Sequence, residues 1–134
     1  MSLEPGLTAK VKAEVRPDMT ALSQGSGLVE GLATPVMVRL MEAAAIKALE
    51  AELMPGMTSV GTRIEVTHAA PTPVGMEVCA CATLVEVEGR LLIFSVSAED
   101  GGGLIGKGTH QRVIVDKDRF DERIKARWTV GAQQ

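Results

Sequence analysis

Apolar and polar residues alternate from Leu7 to Val15, with Leu7, Ala9, Val11, Ala13 and Val15 on one side, which is the period of a half-buried strand. Pro17 ends that pattern. The following stretch, 18–33, scatters Leu22, Leu28, Val29 and Leu32 among Ser23, Gly25, Ser26, Gly27 and Gly31, and reads as a mobile loop or lid. At Thr34 and Pro35 the pattern changes to a helical one. A Thr followed by Pro suits an N-cap and first helical position, and Val36 to Leu53 is rich in Ala, Leu, Met and Glu, giving a helix of about five turns. Val38, Ala45 and Leu49 form one line along it and Met37, Met41, Ala44 and Ala48 the next, while Arg39, Lys47 and Glu50 mark the wet side. Pro55 and Gly56 end it.

The remainder reads as strands. Ser59 to His68 is followed by a Pro/Gly break from Ala69 to Gly75. Then come Met76 to Glu88, a turn at Glu88-Gly89, Arg90 to Glu99, a turn over Asp100 to Gly103, and Leu104 to Asp116. Asp118 to Arg127 reads as a short charged helix. With no internal repeat and no linker, residues 1–134 are expected to form a single α+β domain. Its simplest topology pairs sequence neighbours antiparallel, and a helix apolar over so wide an arc needs a sheet that curls around it.

Composition narrows the function. At 14.1 kDa the folded chain is expected to expose about 6,700 Å² against about 20,000 Å² unfolded, so it can bury a core without staples. Only Phe94, Phe120 and Trp128 are aromatic and there is no Tyr, which removes base-stacking platforms and aromatic cages for cations. The net charge of −3 gives no footprint for a phosphate backbone, so nucleic acid is not an expected partner. Cys79 and Cys81 share one face of a strand with no His or third Cys nearby, which points to free thiols in a reducing compartment and to no metal site. The first residues lack the pattern of a leader peptide and no stretch is long enough for a membrane span, so a cytoplasmic protein is expected.

Three residues stand out chemically. Glu42 lies in line with Val38, Ala45 and Leu49; a carboxylate on an apolar face is costly, so it is paired, with Arg39 three residues earlier as the plain partner, or reaches solvent at the edge of the arc, or is functional. His68 shares its strand face with Ile64 and Val66 and points towards the helix, either as a satisfied core residue or as a general base. Thr34 is accounted for as a helix cap. It also stands where free backbone N–H groups could stabilise an oxyanion. Thr34 and Glu42 are about 12 Å apart along a helix and cannot pair directly, so His68 must lie between them or a second subunit must supply one member. His110 reads as core or edge packing, and Arg112 as a holder of a carboxylate, a phosphate or a catalytic acid. Gly106-x-Gly108 is too short for a phosphate loop.

Three segments, Ala33-Thr34-Pro35-Val36-Met37-Val38-Arg39-Leu40-Met41-Glu42, Gly61-Thr62-Arg63-Ile64-Glu65-Val66-Thr67-His68 and Gly106-Lys107-Gly108-Thr109-His110-Gln111-Arg112, occur in that order with fitting spacing. With them the chain resembles the hotdog-fold thioesterases, in the branch related to fluoroacetyl-CoA thioesterase. The resemblance implies a sheet of about five strands around one long helix, and a homodimer or dimer of dimers with acyl-CoA sites between subunits. It further implies catalytic roles for Thr34, Glu42 and His68, substrate contacts at Gly61 and Arg112, and no cofactor beyond the coenzyme A of the substrate. The resemblance also implies, for the fluoroacetate-selective example of the branch, aromatic residues over the acyl pocket, whereas 17–33 here contains none. The activity so implied is hydrolysis of a small acyl-CoA thioester; a non-catalytic acyl-CoA binding module and an enoyl-thioester hydratase are the alternatives on the same fold.

Overall fold

The computed structural model describes residues 3–132, with side chains described as far as Trp128. In chain order it contains β1 (Thr8–Glu14), a 3-10 turn (Pro17–Met19), α1 (Ala21–Gln24), α2 (Thr34–Leu49), β2 (Met57–His68), β3 (Glu77–Glu88), β4 (Leu91–Asp100), β5 (Gly103–Asp116) and α3 (Lys117–Ala132). All strand pairs are antiparallel and the sheet runs β1-β3-β4-β5-β2. The neighbour-to-neighbour topology expected from sequence therefore holds for β3–β4 and β4–β5 and fails at β2, which pairs with neither β1 nor β3. β2 pairs with β5 and not with β3, and the 69–76 segment carries the chain back across the sheet so that β3 can take β1 on its outer side.

The helix and sheet meet over matched patterns. α2 buries Val36, Met37, Leu40, Met41, Ala44, Ala45, Ala48 and Leu49. Beneath it β3 alternates Val78, Ala80, Ala82 and Leu84 inward, and β4 alternates Leu92, Phe94, Val96 and Ala98. Alanines at the middle of this face leave room for the helix to sink onto the sheet, the close packing that a core poor in rings requires. α2 ends at Leu49, one turn earlier than the composition suggested, and lies over β1 and β3 far more than over β4 or β2. Its stripe Thr34, Val38, Glu42 and Ile46, spaced four residues apart, is left exposed or half-buried along that open side.

The 18–33 segment is more ordered than a free loop. Met19, Thr20, Ala21, Leu32 and Ala33 are buried, Thr20 caps α1 by accepting from the Ser23 N–H, and bridges join Thr20 to Leu32 and Gly31 to Pro73. Its middle, residues 22–30, is exposed, with Leu28 at 90%. Among the described residues no helix is long and apolar enough to cross a membrane, and Cys79 and Cys81 are free thiols.

Candidate active site

Thr34 is the first residue of α2, not its cap. Ala33 holds the cap position in extended conformation, no side chain caps the helix, and Pro35 sits second. Released from capping, the Thr34 hydroxyl lies 2.7 Å from His68 Nδ1 at the end of β2. The other ring nitrogen, Nε2, is buried and has no hydrogen-bond partner. An unpaired buried polar atom is costly, and such atoms collect where a ligand or a water completes the bonding. The backbone at this helix end is largely spent: the Val36 and Met37 N–H groups both donate to the Ala33 carbonyl, Pro35 has none, and the Thr34 N–H alone has no acceptor among the described residues. The oxyanion site expected at the helix N-terminus therefore reduces to one free donor next to the hydroxyl.

Glu42 is not part of this pair. Its carboxylate, 41% exposed, lies 3.6 Å from Nη1 of Arg112, whose side chain is 5% exposed. The Arg39 pairing is thus replaced by a partner from β5, in the carboxylate-holding role read for Arg112. Gly61 is paired with Arg112 across the strands, and a Cβ there would stand 3.0 Å from Glu42 Oε2 and 3.3 Å from Arg112 Nη1. The first cluster lies at the N-terminus of α2 and the second about two turns further along its open side, at mid-helix.

A bulge aligns them. Gly61 and His68 are seven apart, so an unbroken strand would turn them to opposite faces. The register of β2 against β5 shifts between Gly61 and Arg63, with Gly61 opposite Arg112 but Ile64 opposite His110, Val66 opposite Gly108 and His68 opposite Gly106. The extra residue, Thr62, places Gly61 and His68 on the same helix-facing side. Period-two counting along the sequence identifies the face of His68 and misses this shift.

Ser59 and His110 are further members that the sequence reading did not place here. Arg112 Nε donates to Ser59 Oγ at 2.8 Å and Nη2 to the Ser59 carbonyl at 3.0 Å, while Nη1 donates to His110 Nε2 at 3.1 Å. Because arginine only donates, His110 must accept at Nε2, which makes Nδ1 the protonated nitrogen and the donor to the Arg63 carbonyl at 2.8 Å. Burial pushes the His110 pKa below its ordinary value, opposed by the bond to the Arg63 carbonyl, and the Arg112 charge lowers it further against a smaller opposite effect of Glu42. His110 is buried as expected, but it is packed as part of a polar network.

The sequence profile of the fluoroacetyl-CoA-specific thioesterase family matches residues 15–118. The chain belongs to that family. The curated fluoroacetyl-CoA thioesterase of Streptantibioticus cattleyicolor is 44% identical over 102 residues, which is 76% of this chain and 73% of that protein. The solved structure of the fluoroacetyl-CoA thioesterase FlK superposes with a TM-score of 0.88 at 36% identity, over 94% of this chain and 98% of that one. A hot-dog-like protein from Thermanaerovibrio acidaminovorans superposes at 0.83 and 29% identity, over 92% and 91%. The fold is the hotdog fold. In this thioesterase family member a cavity of about 350 Å³ opens beside Thr34 and His68, walled by Val29 and Leu32 of the lid and by Ala70 and Pro71 after β2. Thr72 fastens the far wall by donating to Asp100 Oδ2 at 2.7 Å. No group of three or more His, Cys, Asp or Glu among the described residues is placed to hold a metal ion.

Proposed function

We propose that the chain hydrolyses a small aliphatic acyl-CoA thioester to the free acid and CoA, at a site built from two protomers. The observation that carries this reading is the Thr34–His68 pair, with its unpartnered Nε2, set beside a cavity of acyl size. The Thr34 hydroxyl donates to Nδ1, and His68 accepts the proton as Thr34 Oγ, or a water in its place, attacks the thioester carbonyl. The oxygen that becomes negative faces the Thr34 N–H at the positive end of α2. The tetrahedral adduct collapses with loss of the CoA thiolate, which takes the proton back from His68. If Thr34 was the nucleophile, water then cleaves the acyl-threonine with His68 again as base.

Glu42, Gly61 and Arg112 stand apart from this pair within one protomer, and a second copy supplies them. β2 is an edge strand of 12 residues with a free hydrogen-bonding side, a feature that stable proteins cover. Because the bulge turns Gly61 and His68 to one face, antiparallel pairing of β2 with its copy brings the helix-facing sides of the two strands, and with them His68 and the partner's Gly61, onto one face of the joined sheet. A standard dimer interface buries about 800 Å² on each partner. The partner's Arg112 then holds the partner's Glu42, its own ion-pair partner, towards the His68 side of the cleft, where the carboxylate orients the attacking group. The acyl group lies under Val29 and Leu32. An aliphatic lid favours small unbranched acyl groups without special selection for fluorine.

Mixing protomers tests the reading. Thr34→Ala and Glu42→Ala homodimers should each release almost no thiol from short-chain acyl-CoA. After subunit exchange, mixed dimers hold one intact site each, and release should return to about a quarter of wild type. No recovery after verified exchange would mean that each site lies within one protomer. Full release by both variants alone would remove the proposed chemistry.

A further inference from the structure

Arg112 carries a buried positive charge that meets one half-exposed carboxylate at ion-pair distance. Such a pair is weakly held by itself, because Glu42 can turn to solvent and leave the guanidinium unmatched. Neutral acceptors occupy the remaining edges of the fork. Ser59 takes Nε on its hydroxyl and Nη2 on its carbonyl, and His110 takes Nη1 on Nε2. These contacts fix the plane of the guanidinium from two strands, β2 and β5, without adding a second negative charge. The full positive charge remains directed at Glu42.

His110 can do this in only one state. Protonated, it would present N–H to N–H and push Arg112 away; in the other neutral tautomer it would lose both its bonds. The Arg63 carbonyl, on the residue directly after the bulge, selects the correct tautomer by accepting from Nδ1. The other surroundings of the ring maintain the neutral form. Burial disfavours the charged ring, with Phe94 on β4 packed at a centroid distance of 6.4 Å, and Arg112 on β5 repels an added proton; Glu42 on α2 acts the other way, more weakly.

We propose that Ser59 and His110 are positioning residues of the hydrolytic site, which lock the Arg112 guanidinium against Glu42, with His110 acting as a permanently neutral hydrogen-bond acceptor. The proposal rests on the reading of Glu42 and Arg112 as members of that site. It assigns His110 no part in proton transfer, in contrast to His68. The two histidines of the chain divide the work: one exchanges a proton with a hydroxyl, and the other is prevented from taking one.

The test combines kinetics with a spectroscopic readout on the intact dimer. With acetyl-CoA and butyryl-CoA, Ser59→Ala and His110→Phe should lower kcat about tenfold or more, with KM within about twofold. Ser59→Thr and His110→Gln, which restore an acceptor, should recover most of the loss. Nitrogen-15 shifts of wild-type His110 should report a neutral ring protonated at Nδ1 from neutral pH down to the acid limit of the fold. A charged or Nε2-protonated ring at neutral pH overturns the proposal, as does unchanged kcat in both Ser59→Ala and His110→Phe when Arg112→Ala is inactive. Full activity of Arg112→Ala would overturn the reading of the site on which the proposal rests, and the proposal with it.

Discussion

Thr34 Oγ1 and His68 Nδ1 stand 2.7 Å apart because the cap of α2 falls one residue earlier than the Thr-Pro pair suggests. A capping hydroxyl would be turned back onto the second or third N–H of the helix. With Ala33 at the cap, the hydroxyl is free to reach across to β2. Thr34→Ala should consequently leave stability within about 0.5 kcal/mol of wild type, since no cap bond is lost and alanine suits a helix. The same change should lower thiol release about a hundredfold or more, and Thr34→Ser should retain much of it. Urea midpoints and steady-state rates on the same samples would check both halves. A destabilised Thr34→Ala would return the residue to a structural role.

Gly61 faces Glu42, His110 and Arg112 with no side chain of its own. A methyl there would lie 3.0, 3.2 and 3.3 Å from atoms of those three residues. Arg112 and His110 are pinned by their hydrogen bonds, so the half-exposed Glu42 carboxylate is the group that must yield. Gly61→Ala should therefore reduce thiol release roughly ten- to a hundredfold with little change in melting temperature. A loss of stability as large as the loss of activity would show that the strand, and not Glu42, had moved.

The comparison of pattern with structure divides along physical lines. Helix α2 and strands β3 and β4 are legible because each buries a face of constant period, which β4 keeps from Leu92 to Ala98 and β3 from Val78 to Leu84, ahead of a register shift at Val85. Thr34, Glu42 and His68 could be singled out as polar groups on or beside apolar faces. Three things lay outside the reach of pattern. The position of the cap depends on backbone angles that Thr-Pro does not determine. The bulge at Thr62 turns one strand face into the other without any glycine or proline at the extra residue. The β5–β2 pairing, which brings Ser59 under Arg112 across 53 residues, is a long-range event. The spacing of His110 and Arg112 by two, on one strand face, was the one local sign that they act together.

The pH dependence of stability follows from His110. Its pKa is pushed down in the folded chain, first by burial and then by Arg112, from an ordinary value of 6.5. Below 6.5 the unfolded chain therefore binds a proton that the folded chain refuses. This contribution to stability is complete above 6.5 and is lost as pH falls from there through the folded-state pKa. The urea midpoint should drop as the pH falls below the ordinary value of 6.5, and the drop should be smaller in His110→Gln, which cannot titrate. Carboxylates are common to both proteins, so the difference between the two curves isolates the histidine. Identical curves would mean that His110 takes a proton in the folded state as readily as in the unfolded one.

Gly106 shows how the sheet and helix are brought close enough to position His68, its partner across the strands. A Cβ at this position would stand 2.5 Å from the Thr67 carbonyl oxygen and 2.8 Å from Met37 Sδ. The thioether is flexible and could turn aside, but the carbonyl belongs to the paired strand and cannot move without separating β2 from β5. Gly106→Ala should accordingly cost about 1–3 kcal/mol, in the range of an overpacked core. Trimming the helix side should not undo it: Met37→Ala removes the sulfur and leaves the carbonyl clash, and it opens a cavity of its own. The double variant should thus be less stable than either single one, and the lateral shift of β2 should lower thiol release by displacing His68 from Thr34. If Met37→Ala instead restored Gly106→Ala to the stability of wild type, the methionine would be the reason for the glycine, and activity should return with it.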